Sequence, residues 1–530
     1  MALIDYNEKK FQRYLGPIFV ALLAIAVTSP SFMDDAPFNY DESVFLCTGT
    51  YFSTIISDFS GFVSEPIQWS KNYYNQYPVI SLRRHPPLFF AIEGVFFSVF
   101  GTTHYVGRVT LLLFTIAFAL GFFRIALRYF DDQVRSLVAT ILLLSVTSSI
   151  PSIQEVWLDV PTMAWTVWGI YYWDLWRVNS TYKSGICCGL CCVCALYTYQ
   201  LSLFLVVAMF GVGFFLWWKA YLKRSESELS GGGTPFRGFL AIAVGFTLLL
   251  SPLVVFSVLF GSDQLQVAAG GQVAEFARFS KASATLSIDN LTLYLRVLRD
   301  VFPISILGAG YFFVSRFFKS EPMKELDFLF LLAFLLTYAG FSIVSSFNVR
   351  YCWYIVIPTV LWSVQFLFWT ISIVGLKAWQ SVAVIVASLG LLVYSASQDY
   401  SERFLRDPID MHQVFFEVKG GKKILYSGTY DARFVFTVRS QDPSRKYSLY
   451  RGTVQVSHKD NLSEFLLLND IDTVVVQLSD DVNAVPEYQR MEKKLLEQLP
   501  GLGFVSKRVI DGHESGKVDR PMLVVYRKSF

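Results

Sequence analysis

The sequence predicts a polytopic α-helical membrane protein that ends in a small α/β domain, and three observations carry the prediction. The 530 residues are 53% apolar and 17% aromatic but only 16% charged, with a mean hydropathy of +0.44, whereas soluble domains average roughly a quarter charged. Charge is unevenly placed: residues 401–530 hold 20 Lys and Arg and 18 Asp and Glu, leaving 25 and 24 for the first 400. Those first 400 residues divide into apolar runs close to the roughly 20 residues a helix needs to cross a bilayer. An ordinary cytosolic enzyme is excluded. A net charge of +3 is small for this length and gives no indication of a nucleic-acid partner.

Apolar runs at 14–30, 104–124, 134–151, 160–176, 184–198, 200–218, 237–260, 299–315, 326–347, 352–374 and 379–397 are read as about eleven spans. The run 87–101 is shorter and carries Glu93 in its middle, so an interfacial or re-entrant helix is expected there. That choice decides the parity of all later loops. Lys9, Lys10 and Arg13 place the N-terminus in the cytoplasm, ahead of an uncleaved signal anchor. The loops bearing Arg124, Arg128 and Arg135, then Arg177 and Lys183, then Arg316, Lys319 and Lys324 fall on the same side. Residues 1–399 thus form the membrane domain, with 31–103 as a long first outer loop, and 400–530 form a soluble domain on the outer face of the plasma membrane.

Cys187, Cys188, Cys191, Cys192 and Cys194 crowd one apolar run that holds no His or carboxylate, so they are read as packing residues. Only Cys47 and Cys352 lie elsewhere, which leaves no disulfide framework.

The chemistry-bearing residues gather in the outer segments. Asp41 and Glu42 lead an amphipathic stretch just beyond the first span. Acids there either cap a helix or act as catalytic carboxylates, and the residues alone leave both open. The same loop runs through Trp69, Tyr73, Tyr74 and Tyr77, a pattern that suits sugar stacking and an interfacial belt equally. It closes on Arg83, Arg84 and His85 before Pro86-Pro87, where cations held by a rigid diproline suit an anion site or lipid headgroups. Asp159 stands at the outer mouth of a span, a costly place for an unpaired acid. Arg350 and Tyr351 lie in the gap between two spans, where the Arg either binds phosphate or snorkels. Together these put acids and cations on one face of one membrane. Transfer from a lipid-phosphate donor needs that combination: a carboxylate to take the acceptor's proton and cations to hold the leaving phosphate.

In this order Tyr40-Asp41-Glu42, Arg84-His85-Pro86-Pro87-Leu88, Gly101 with Arg108 behind it, Leu158-Asp159-Val160-Pro161 and Arg350-Tyr351 resemble the motifs of the GT-C glycosyltransferases. The branch they resemble is that of protein O-mannosyltransferases and lipid A aminoarabinose transferase. The resemblance spans roughly residues 14–400 and implies a GT-C-like membrane domain with juxtamembrane helices and a polyprenyl-phosphate-linked sugar donor. It makes Asp41 the catalytic base with Glu42 beside it, Asp159 the second acid, and His85 and Arg350 the donor-phosphate contacts; Arg83, Arg84 and Tyr351, next to these in sequence, are read as part of the same donor-phosphate group. One departure stands out: related enzymes often carry a Lys at a later outer turn where this chain reads Tyr197-Thr198-Tyr199-Gln200. No cofactor is expected; paired acids leave a divalent ion open, and the resemblance implies working without one.

In the C-terminal part, Lys422–Gly428, Thr473–Gln477 and Met522–Tyr526 read as strands and Tyr488–Leu499 as a helix. The glycine spacing of a dinucleotide loop is absent. The expected function is therefore an inverting membrane glycosyltransferase that acts on a lipid, glycan or protein acceptor outside the membrane. The rival reading is a transporter or lipid flippase, against which stand the absence of matching halves and the clustering of charge at one face. A non-catalytic glycan-binding protein is the third reading.

Overall fold

The structure, a computed structural model, describes residues 2–33, 40–82, 85–148, 153–179, 181–223, 302–318, 322–343, 353–374, 411–452, 462–478, 486–510 and 522–528, with isolated positions between 292 and 390. Of the expected site residues, Arg83, Arg84, Arg350 and Tyr351 lie outside the described residues, as do the expected span 237–260 and nearly all of 379–397. The chain forms two compact units: Met1–Ser31, Leu82–Phe89 and Leu111–Asp399 make one, and Phe32–Ser81, Phe90–Thr110 and Tyr400–Phe530 the other.

The first unit is helical: α1 (Ala2–Thr28), most of α6 (His104–Phe130), α7 (Gln133–Ser148), α8 (Asp159–Asn179), α9 (Tyr182–Thr198), α10 (Leu203–Lys223), α11 (Ile304–Phe313), α12 (Glu325–Ile343) and α13 (Trp353–Val374). Three described segments, Leu15–Met33, His104–Phe130 and Tyr354–Ile373, are long and apolar enough to cross a membrane. On α1, Val20, Ala24 and Val27 are buried while Leu15, Ile18, Leu22 and Ile25 are exposed. A helix that shows apolar side chains outward as well as inward needs an apolar solvent, as a bilayer is. The chain is an integral membrane protein on these grounds. The core of this unit is aromatic, with Phe312 stacked on Trp362 at 4.3 Å between ring centroids. Cys188 and Cys192 join the same core as packing residues.

At one end of this helical unit, charged residues from three loops converge. Arg128 pairs with Asp174; Arg177 pairs with both Asp174, at 2.8 Å, and Glu325. Arg316 meets Asp327 at 3.2 Å, the Tyr129 hydroxyl donates to Asp327 at 2.6 Å, and the Lys324 ammonium donates to the Tyr129 carbonyl at 2.6 Å. The ends of α6 and α8 and the start of α12 therefore lie together.

The second unit opens with α2 (Tyr40–Ser57), α3 (Phe59–Ser64) and α4 (Pro66–Gln76), and takes in most of α5 (Leu88–Phe100). The 13 residues of α5 span only about 20 Å, short of the ~30 Å hydrocarbon core. The C-terminal part is a five-stranded sheet in the order β2-β1-β3-β5-β4. Its strands are β1 (Lys423–Ser427), β2 (Ser448–Arg451), β3 (Thr473–Leu478), β4 (Phe504–Ile510) and β5 (Met522–Lys528). β1 pairs in parallel with β2 and β3, and β5 pairs antiparallel with β3 and β4. The helices α14 (Met411–Val418), α15 (Asp431–Gln441), α16 (Leu462–Leu468) and α17 (Pro486–Gln498) complete the unit. The expected strands and the α17 helix stand where the alternation placed them. α15 is the exception: its Phe434-Val435-Phe436-Thr437-Val438 run has strand composition, yet it is helical and buried throughout. Burial on every side removes the alternation that marks a half-exposed strand, so tertiary packing overrides local propensity.

α15 packs along α2. The Cys47 thiol donates to the Ala432 carbonyl at 3.8 Å, and Arg439 donates to the Thr54 hydroxyl at 3.1 Å. The Gln76 amide donates to the carbonyls of Arg445 at 2.6 Å and Tyr447 at 2.9 Å. Tyr77 donates to Asp442 at 2.9 Å. The C-terminal part and the α2–α4 segment are thus one folded body, held by side chains some 370 residues apart in sequence.

Candidate functional site

The first turn of α2 carries Asp41 and Glu42 side by side, but their environments differ. Glu42 is fully buried, and Arg108, also fully buried, forks onto it with Nε at 3.2 Å and Nη2 at 3.5 Å. Asp41 is partly exposed. An acid on the first turn is favoured by unpaired N–H groups whichever role it plays. The ion pair adds the decisive difference, because a carboxylate bound to a buried guanidinium is held as a fixed charge.

Behind this pair sits Glu93 of α5, fully buried, with neither carboxyl oxygen hydrogen-bonded among the described residues. Burial, with the Glu42 carboxylate nearby, pushes its carboxyl well above the usual carboxylate range. Two glycines let it in. A Cβ at Gly49 of α2 would lie 2.1 Å from Glu93 Oε2, and one at Gly94 would lie 2.9 Å from the Ser53 backbone nitrogen. Only glycine at both positions allows the two helices this approach.

The aromatic stretch of the first loop finds a use other than the two expected. Trp69 stacks on Tyr73 with centroids 5.8 Å apart, and Tyr51 meets both edge-on. The Trp69 indole donates to Asp58 at 2.7 Å, and Tyr51 shares a 2.8 Å hydrogen bond with Ser70. These rings pack α4 onto α2; Tyr74 is the one left exposed.

His85 and Asp159 belong to the other unit. His85 is half-buried, and its ring meets Tyr199 edge-on at 5.5 Å. The turn that departs from the family pattern by lacking a Lys therefore supplies an aromatic wall to the imidazole. Asp159 is buried as the first residue of α8, where the helix dipole favours a carboxylate. Buried Gln154 and Glu155 stand shortly before it. Among the described residues no group of three or more His, Cys, Asp or Glu is placed to hold a metal ion.

Sequence reading noted Arg108 only through its spacing from Gly101 and Glu93 only as a charge in an apolar run. It did not single out Arg451 of β2, whose guanidinium reaches Tyr40 at the start of α2. For Arg108 and Glu93 a signal was present, since an ionisable residue in an apolar helix is functional or paired by default. For Arg451 none was, because nothing in a β-strand end announces a partner more than 400 residues upstream.

Residues 84–234 match the family model described as dolichyl-phosphate-mannose-protein mannosyltransferase. No curated protein matches the chain in sequence. Among solved structures it is similar to ArnT from Cupriavidus metallidurans bound to undecaprenyl phosphate, at a TM-score of 0.59 and 11% identity, over 96% of this chain and 97% of that one. The apo state of the same ArnT matches at a TM-score of 0.54 and 11% identity, over 98% of each chain. The chain thus shares the fold of ArnT over nearly the full length of both chains, and the mannosyltransferase family match lies inside that fold.

Proposed function

We propose that the chain is a glycosyltransferase that moves a sugar from a polyprenyl-phosphate donor to a lipid, glycan or protein acceptor on the extracytoplasmic side of the plasma membrane, inverting the anomeric centre, with Asp41 as base. The ArnT fold supports the donor class, since that protein was solved with undecaprenyl phosphate bound. The mannosyltransferase match supports sugar transfer as the reaction. The observation that carries the choice of base is the contrast on the first turn of α2: Glu42 is buried against Arg108, and the adjacent Asp41 is partly exposed.

In this reading the Asp41 carboxylate accepts the proton of the acceptor hydroxyl or amine as that group attacks the anomeric carbon. The bond from that carbon to the phosphate oxygen breaks, and its electron pair leaves with the phosphate. Arg83, Arg84, His85, Arg350 and Tyr351 hold the departing phosphate, and Asp159 orients the acceptor. Glu42 acts through Arg108 as a positioning residue. The N-terminus and the convergent cationic loops face the cytoplasm.

The test is release of free polyprenyl phosphate in detergent or liposomes, from a panel of polyprenyl-phosphate sugars. Asp41→Asn should lower turnover by about 10²–10⁴-fold with an unchanged thermal unfolding midpoint. Near-native turnover in that variant ends the assignment of the base.

A further inference from the structure

We propose that Arg451 of the C-terminal domain is a positioning residue for Asp41, acting through the hydroxyl of Tyr40. The inference rests on the assignment of Asp41 as base.

Arg451 is the last residue of β2 and is 8% exposed. Each nitrogen of its guanidinium serves a different part of the unit. Nε donates to the fully buried Asp431, at the start of α15, at 2.7 Å. Nη1 donates to the Pro78 carbonyl, in the loop after α4, at 3.3 Å. Nη2 donates to the Tyr40 hydroxyl at 2.6 Å. Asp431 alone neutralises the Arg, so the bond to Tyr40 is additional to the ion pair that the domain requires. A rigid planar fork is the group that can hold three partners at fixed angles, which a Lys cannot do.

Tyr40 is the first residue of α2 and the immediate neighbour of Asp41. The first turn of a helix lacks internal partners for its N–H groups and is where a helix frays. Tyr40 is 43% exposed, and the same guanidinium that takes its hydroxyl also lies over its ring, 5.9 Å from the centroid. Farther along α2, at about 21 Å by helix rise, Arg439 of the same domain donates to Thr54 at 3.1 Å. A domain that only covered α2 would need apolar contacts. This one holds the helix near both ends through arginines, and the end that carries Asp41 has the shorter bond.

Tyr40→Phe removes the hydroxyl alone, and Arg451→Lys keeps the charge beside Asp431 while losing the fork. Each should lower kcat roughly tenfold with the donor KM unchanged, because a misplaced base affects the chemical step. The double variant should be no slower than the slower single one, since both break the same link. Hydrogen exchange followed by mass spectrometry on the full chain in detergent should show faster exchange of the amides of residues 44–48 in Tyr40→Phe, whichever donor is used. Unchanged exchange overturns the inference. Faster exchange with native kcat overturns it too, because the bond would then hold the helix without bearing on the base. Additive losses in the double variant count against it as well. Asp41→Asn run in the same assay separates the two claims. Turnover retained there removes the base assignment and this inference together. Turnover lost there but native in Tyr40→Phe removes this inference alone.

Discussion

Two charge clusters in this protein are built on opposite principles. In the cluster of the helical unit Asp174 has Arg128 and Arg177, Glu325 has Arg177, and Asp327 has Arg316. Arg128 and Arg177 keep 30% and 28% of their side chains exposed. In the other unit a single guanidinium, Arg108, pairs with Glu42, and Glu93 lies near that carboxylate; all three are fully buried. The first cluster ties helix ends through Arg128 and Arg177, which solvent partly reaches, although Asp174, Arg316 and Asp327 are buried. The second has only protein around it, so its composition decides which of its groups carries charge. Clamping tolerates imbalance, whereas a charge held beside a candidate base does not.

Removing Arg108 should break that comparison most forcefully. Arg108→Met leaves Glu42 buried with Glu93 and without its cation, and is expected to cost about 3–5 kcal/mol, read as a large fall in unfolding midpoint or failure to accumulate folded protein. A midpoint close to native would mean that the pair is not buried as described.

Glu93→Gln sharpens it, and the sign follows from the direction of the shift. A carboxyl held above its ordinary value in the fold binds its proton more tightly there than in the unfolded chain. The native protein therefore loses stability as pH rises from the ordinary carboxylate range toward the raised value. Gln has no proton to lose. The midpoint of Glu93→Gln minus that of the native protein should accordingly grow between about pH 4 and pH 8. A difference that stays constant or shrinks over that range would show Glu93 to be ionised in the fold.

Arg128→Met should have the smallest effect, about 1 kcal/mol or less, because Asp174 keeps Arg177 at 2.8 Å. The loss should diminish further at high salt. A cost equal to that of Arg108→Met would erase the distinction between the two clusters.

Much of the fold was legible before any coordinates. The strands of the C-terminal sheet announce themselves by β-branched alternation, and the lipid-facing helices by apolar residues on every side. Arg128, Arg177 and Arg316, three of the loop cations, each pair with an acid. The candidate site was legible only in part. Asp41, Glu42, His85 and Asp159 stand out by residue type and place, but adjacency alone could not separate the roles of Asp41 and Glu42. That separation comes from Arg108, 66 positions after Glu42 in the chain. α15 has no such signal in the sequence, because a fully buried helix and a buried strand share a composition.

Composition and hydropathy are sums over the chain, so solvent preference, the membrane class and the existence of a separate α/β domain follow from residue types without any fold. Which carboxyl stays ionised, which helix the C-terminal domain holds, and which aromatic rings pack rather than face solvent depend on contacts between distant residues. Arg451 on Tyr40, Arg108 on Glu42 and Glu93 over Gly49 are such contacts. They have no local signature because their energies come from desolvation and geometry, which only folding supplies.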